Sequence, residues 1–185
     1  MLARWSRKDH ERRRTVMLVP TKEIGIERAE EFRLAYGYDA KDSKSNKLRV
    51  VYSDGDHGRE DYQIWRGDFD LAIIVNEKFR YFQQSGEFLE GIGEIVVDEM
   101  ETIGKDSRGQ YLELLLTAIL STQKDIAVSC LSRPFANVGD LLGLLTREGE
   151  EAYFVETLRR PFPIEIGVWE PNGQTVTYMD CNDYS

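Results

Sequence analysis

A chain of 185 residues with 41% apolar content can bury one substantial core but not two full domains. Its 24 Lys and Arg against 33 Asp and Glu leave a net charge of −9, which excludes a polycation that holds nucleic acid by bulk attraction; any such contact must be local. Cys130 and Cys181 stand without a CxxC or Cys/His spacing, and no apolar run approaches the roughly 18 residues of a membrane span. With Met1–Arg14 too polar for a signal peptide, a cytoplasmic protein with no membrane partner is expected.

Met1–Arg14, with six Lys and Arg, reads as a charged lead-in. Thr15-Val16-Met17-Leu18-Val19 is a compact apolar strand, closed by Pro20-Thr21-Lys22 where a helix opens. Ile26, Ala29, Phe32 and Tyr36 recur at helical spacing and are expected in the core, with Gly37 as the stop. After the polar loop Asp39–Lys47, Leu48–Tyr52 forms the next strand, and its exit Ser53–Glu60 is rich in glycine, which permits close backbone approach to a ligand. His57 in that exit makes no metal site alone.

Asp70–Val75 is a third strand, and Asn76-Glu77-Lys78 opens a helix through Phe79 and Phe82, with Asn76 as its N-cap. Gly93–Glu101 is an apolar run that stops abruptly in acids. This pattern describes a buried parallel strand delivering carboxylates to the sheet edge where open α/β folds bind ligands, or a strand end with solvated acids. An Asp98-Glu99 pair there suits nucleotide chemistry, one carboxylate holding Mg²⁺ through its water shell while the next polarises a water. A helix with Tyr111, Leu114, Leu115 and Ala118 on its apolar face follows, then a fifth strand Ile126–Leu131 and a helix carrying Val138, Leu141, Leu142 and Leu145. Ala152–Val155 is read as a sixth strand. Arg159–Pro163 stays extended, and Ile164–Trp169 pairs with Thr175–Tyr178 across Pro171-Asn172-Gly173. The alternation gives one doubly wound α/β domain with a mainly parallel sheet and a small β appendage, divided as 1–14, 15–160 and 161–185.

Taken together, the strand exits resemble the first RecA-like domain of superfamily-two DExD/H-box helicases, in the branch of the Ski-type and archaeal repair helicases. Pro20-Thr21-Lys22 is similar to motif Ia, Gly55-Asp56 to the glycine element after the next strand, and Asn76-Glu77-Lys78 to the Thr-Pro-Glu-Lys motif. Asp98-Glu99 stands where the DExH box stands, followed by Arg108-Gly109 and Leu112-Glu113. Leu131-Ser132 matches the start of motif III, and Arg160-Pro161, Pro163 and Gly167-Val168 match the segment leaving the domain. The resemblance implies a P-loop NTPase type sheet that works with ATP and Mg²⁺. Asp98 and Glu99 are then the catalytic and cofactor-binding residues, with Asp98 the Mg²⁺ partner through water. It implies nucleic-acid contacts by Thr21, Lys22, Gly55, Asn76, Glu77 and Lys78, and coupling through Ser132.

The departures are equally concrete. No G-x-x-x-x-G-K-[ST] occurs; Gly104-Lys105-Asp106-Ser107 lacks the upstream glycine loop. Glu101 replaces the fourth residue of the box, and Ser132-Arg133-Pro134 replaces Ser-Ala-Thr. These departures lead to a truncated or degenerate helicase piece, inactive alone and missing the P-loop strand. A polypeptide carrying that strand and the second RecA-like domain is then the implied partner, beside single-stranded or duplex nucleic acid. A non-catalytic nucleic-acid- or protein-binding module is the alternative, and a metal-dependent phosphodiesterase using Asp98, Glu99 and Glu101 ranks last. In the family the motif I strand lies beside the motif III strand, so Ile126–Cys130 is expected to keep one unpaired edge.

Overall fold

Runs of β-branched residues with no polar interruption have to be covered on both faces, and the computed structural model shows how this chain does so. It describes residues 14–36, 48–56, 58–84, 86–105, 107–122, 125–133, 138–146, 152–156, 165–169 and 176–180. The lead-in before Arg14, the loop 39–47, Gly37, His57, Pro134, the 159–163 run and the Pro171-Asn172-Gly173 turn lie outside the described residues.

The order is β1 Arg14–Val19, α1 Lys22–Tyr36, β2 Val50–Ser53, α2 Asp61–Arg66, β3 Leu71–Val75, α3 Asn76–Gln83, α4 Gly86–Leu89 and β4 Ile92–Val97. A 3₁₀ turn Met100–Thr102, α5 Ser107–Thr122, β5 Ala127–Cys130 and α6 Val138–Leu145 complete the first compact unit, Met1–Gly149. The second unit, Glu150–Ser185, contains the antiparallel pair β6 Glu165–Trp169 and β7 Val176–Asp180, in the register Gly167↔Tyr178. Ala152–Val155, expected as a sixth strand, is not a strand but irregular chain.

All pairings in the five-stranded sheet are parallel, in the order β2-β3-β1-β4-β5. β1 is central, and its side chains alternate between two cores. Val16 and Leu18 join Ile64, Phe79, Phe82, Phe88, Leu112, Leu116 and Ile119 under α2 to α5, while Met17 and Val19 join Ala29, Tyr52, Ile73 and Val75 under α1. This two-sided cover explains why β1, β3 and β4 read as continuous apolar runs. Arg14, placed by sequence at the end of the lead-in, is instead the first strand residue and stacks its guanidinium over Phe69 at 5.5 Å. β5 pairs with β4 alone, its residues are half-buried, and among the described residues its outer edge has no partner strand.

Two helix faces depart from the expected ones. On α1, Gly25 and Ala29 are buried and Ile26 and Tyr36 are each 39% exposed, because the helix lies so close to Tyr52 that a Cβ at position 25 would come within 2.5 Å of its ring. Close approach selects small residues over greasy ones. On α5 the inward stripe is Leu112, Leu115, Leu116 and Ile119; Leu114 is 71% exposed and Tyr111 and Ala118 are only partly buried. With leucine at four of five successive positions, 112 to 116, periodicity could not fix which side faces the sheet.

Candidate functional site

In a parallel sheet every strand ends on the same edge, so the exits of β1 to β5 collect there. The Asp98 N–H donates to Leu18 O at 2.9 Å, which carries the β4 exit alongside the end of β1, and the Leu131 N–H donates to Val97 O at 2.8 Å on the other side. Asp98 is 9% exposed. Its Oδ1 accepts the Glu99 N–H at 3.0 Å and its Oδ2 accepts Arg28 Nε–H from α1 at 3.3 Å. Arg28 is held from outside by Glu31, 2.8 Å from its second nitrogen.

Glu99 has φ 53 and ψ 48, and is the one non-glycine with positive φ among the described residues. A side chain in this left-handed conformation costs about 1–2 kcal/mol, an outlier of the kind that concentrates at functional sites. Glu99→Gly is therefore expected to be more stable than Glu99→Ala by about 1 kcal/mol in urea unfolding, since only glycine relieves the backbone. Equal stability of the two variants would show that the turn carries no strain.

Glu101 does not join the other two acids. It is 5% exposed, accepts Arg133 Nε–H at 2.5 Å, and takes further bonds from Ser132 Oγ at 3.0 Å and the Arg133 N–H at 3.3 Å. Burial alone would raise its pKa, but the Arg133, backbone and Ser132 hydrogen bonds together hold it below the ordinary carboxylate value. Ser132, expected as a coupling residue, thus ties the β5 exit to the acidic turn. Among the described residues no group of three or more His, Cys, Asp or Glu could hold a metal ion. With Asp98 turned to Arg28 and Glu101 to Arg133, the acids at the β4 exit diverge and do not form the three-carboxylate arrangement of a metal-dependent phosphodiesterase.

The expected nucleic-acid residues lie along the same edge, and Thr21, Lys22, Glu77 and Lys78 already have side-chain partners. Thr21 is the N-cap of α1, its Oγ1 accepting the Ile24 N–H at 3.4 Å. Lys22, on the first turn, pairs with Asp56, which raises the lysine pKa. Asp54, fully buried, accepts the Tyr52 hydroxyl at 2.7 Å and the Asp56 N–H at 2.7 Å and so shapes the turn at Gly55. A Cβ at Gly55 would meet nothing within 4 Å, so this backbone is open on its outer side.

Asn76 is not the N-cap: α3 starts at Asn76 itself, with extended Val75 in the cap position and no capping side chain. β3 runs straight into the helix, which turns Asn76 inward, 4% exposed, with Oδ1 buried and unpartnered. Glu77 is exposed and 3.6 Å from Arg108. Lys78 is pinned by Asp61 at 2.7 Å and lies 5.5 Å from the Tyr81 ring centre, its side chain 18% exposed. Sequence reading missed Arg28 and Asp61. Arg28 was visible only as the member of the 21, 25, 28, 32 stripe that is charged, on the face α1 turns to the sheet.

A family model described as DEAD/DEAH box helicase matches residues 1–136. The chain is similar to ATP-dependent DNA helicase Hel308 of Pyrococcus horikoshii, 32% identical over 117 residues that make up 63% of this chain and 15% of the relative. The Hel308 of Pyrococcus abyssi is 30% identical over 168 residues, 86% of this chain and 21% of the relative. The helicase domain of Pyrococcus furiosus Hef covers 71% of this chain and 26% of its own with a TM-score of 0.51 and 16% identity, a likeness of fold alone. The chain spans about a fifth or less of the length of these Hel308 relatives.

Proposed function

Because the chain belongs to the DEAD/DEAH box helicase family, whose members use ATP and Mg²⁺ on nucleic acid, we propose that it supplies the acidic-box and nucleic-acid-facing part of an ATP-dependent helicase. As an isolated 185-residue polypeptide it contacts nucleic acid weakly and does not turn over ATP. The carrying observation is the convergence of Thr21, Lys22, Gly55, Asn76–Lys78, Asp98-Glu99 and Ser132 on one sheet edge, in a sequence without a glycine-lysine phosphate loop. Asp98 and Glu99 hold the catalytic and cofactor-facing positions. Their work depends on a phosphate chain cradled by another polypeptide, one bringing the phosphate-loop strand and a second RecA-like domain. The outer edge of β5, which has no partner strand among the described residues, supports such a partner.

Phosphate release from ATP, with and without single-stranded DNA or RNA, is expected to stay at the blank. Nucleic-acid-stimulated release that disappears in Glu99→Gln would overturn the inactivity of the isolated chain.

A second reading, a non-catalytic nucleic-acid-binding module, is favoured by the open backbone at Gly55 next to Lys22. Lys22 and Lys78 already face Asp56 and Asp61, so affinity should be low, and each phosphate contact must displace a carboxylate. In fluorescence anisotropy at several salt concentrations, Lys22→Ala is expected to reduce the log–log salt slope by about 1 without altering sequence preference. Binding indifferent both to salt and to the Lys22→Ala/Lys78→Ala change would exclude this surface.

A further inference from the structure

The acids at the β4 exit have divergent partners. Asp98 reaches back to Arg28 on α1, while Glu101 reaches forward to Arg133 after β5, and Arg133 also feels the charge of Glu99. A carboxylate as buried as Asp98 needs a compensating charge, and here a guanidinium supplies it from within the chain. Arg28 is not a loose surface arginine. It lies on the sheet-facing stripe of α1 with Gly25 and Ala29, and Glu31 fixes its far nitrogen, so its Nε is aimed at Asp98.

We propose that Arg28 is the resident counter-ion of the acidic strand end and closes Asp98 to divalent cations in the isolated chain. The inference rests on the reading of Asp98 as the cation-facing carboxylate, but not on any turnover of ATP. A divalent ion approaching Asp98 meets a like charge already hydrogen-bonded to Oδ2, while Oδ1 is engaged by the Glu99 N–H. Mg²⁺ and Mn²⁺ ask for several oxygen ligands, and no third carboxylate among the described residues compensates for that repulsion.

The probe is Mn²⁺ alone, followed by the loss of its free electron paramagnetic resonance signal on titration into the full chain. The native chain is expected to show no saturable site that depends on Asp98. Arg28→Gln should gain one, at least about tenfold tighter than any residual binding to the native chain, the order expected when one like charge leaves a partly exposed site. Arg28→Gln/Asp98→Asn should lose it, and Arg28→Lys, which keeps the charge, should stay closed. Native binding as tight as that of Arg28→Gln and sensitive to Asp98→Asn would overturn the counter-ion role while leaving Asp98 as the cation-facing residue. A gain insensitive to Asp98→Asn, or no gain, would also overturn it.

The Arg28 Nε–H resonance of the native chain gives a second readout that needs no arginine variant to fold. It should exchange slowly with water, and it should lose that protection in Asp98→Asn but keep it in Glu31→Gln. Fast exchange in the native chain removes the pairing itself. Protection without any metal gain in Arg28→Gln keeps the pairing but overturns the closure of Asp98 to cations, and places the fault in the reading of Asp98 as cation-facing.

Discussion

Gly109→Ala is expected to lower stability by about 2–3 kcal/mol and the melting temperature by roughly 5–10 °C, although alanine is the better helix former by up to about 1 kcal/mol. A Cβ at this position would lie 2.1 Å from Thr102 O and 2.9 Å from Gly104 N. Both are backbone atoms of the turn after the acidic box, so neither can swing aside. The first turn of α5 would have to lift, and with it Leu112, Leu115 and Leu116, which are at most 3% exposed. Gly143→Ala in α6 is the internal control: nothing lies within 4 Å of the added carbon, so it should stabilise by up to about 1 kcal/mol. Urea unfolding of both variants checks the pair. A Gly109→Ala protein as stable as its parent would mean that α5 does not seat on the acidic turn.

The second large effect concerns Glu101. Glu101→Ala is expected to cost about 2 kcal/mol at pH 7, because it deletes the acceptor for Arg133, the backbone and Ser132 at once while exposed Ser132 and Arg133 recover water. Since the folded pKa of Glu101 lies below its unfolded value, its contribution is fully present above the unfolded pKa, near 4.5, and is lost as pH falls through the folded pKa. Arg133→Ala removes the strongest of the lowering interactions and leaves burial to push the other way. The acid-dependent part of the stability should therefore shrink. Urea midpoints at pH 7 and pH 4 should fall further for the parent than for Arg133→Ala or Glu101→Gln; parallel losses in all three would show that the pair is not coupled to folding.

Much of the sheet was legible because its central strands are covered on both sides. Val16 to Val19, Leu71 to Val75 and Ile95 to Val97 carry no polar residue, which only a two-sided core permits. α2 was not legible: in Asp61–Arg66 only Ile64 is buried, so no period exists to detect. The α1 face was misread because contact with Tyr52 rewards the missing side chain of Gly25, while Ile26 points outward. At the site, the abrupt change from Val97 to Asp98 announced the edge position of the acids. Their partners stayed hidden, since Arg28 sits among Glu27, Glu30 and Glu31 and reads as one more solvated helix charge. Asn76 misled for a related reason: its type suits a cap, but a strand running directly into a helix leaves no cap to fill.

The place of β1 also governs the order of events during synthesis. Thr15 finds its sheet neighbours in Leu71 and Glu94, so the earliest described strand to leave a ribosome waits for Val75 to complete one ladder and for Val97 to complete the other. Until then Val16, Met17, Leu18 and Val19 are a bare apolar tetrapeptide with both edges open, the kind of segment that holdase chaperones retain. Such long closures slow folding. Nascent chains arrested before β4 should remain protease-sensitive throughout β1, and resistance should arise in one step once Val97 has emerged.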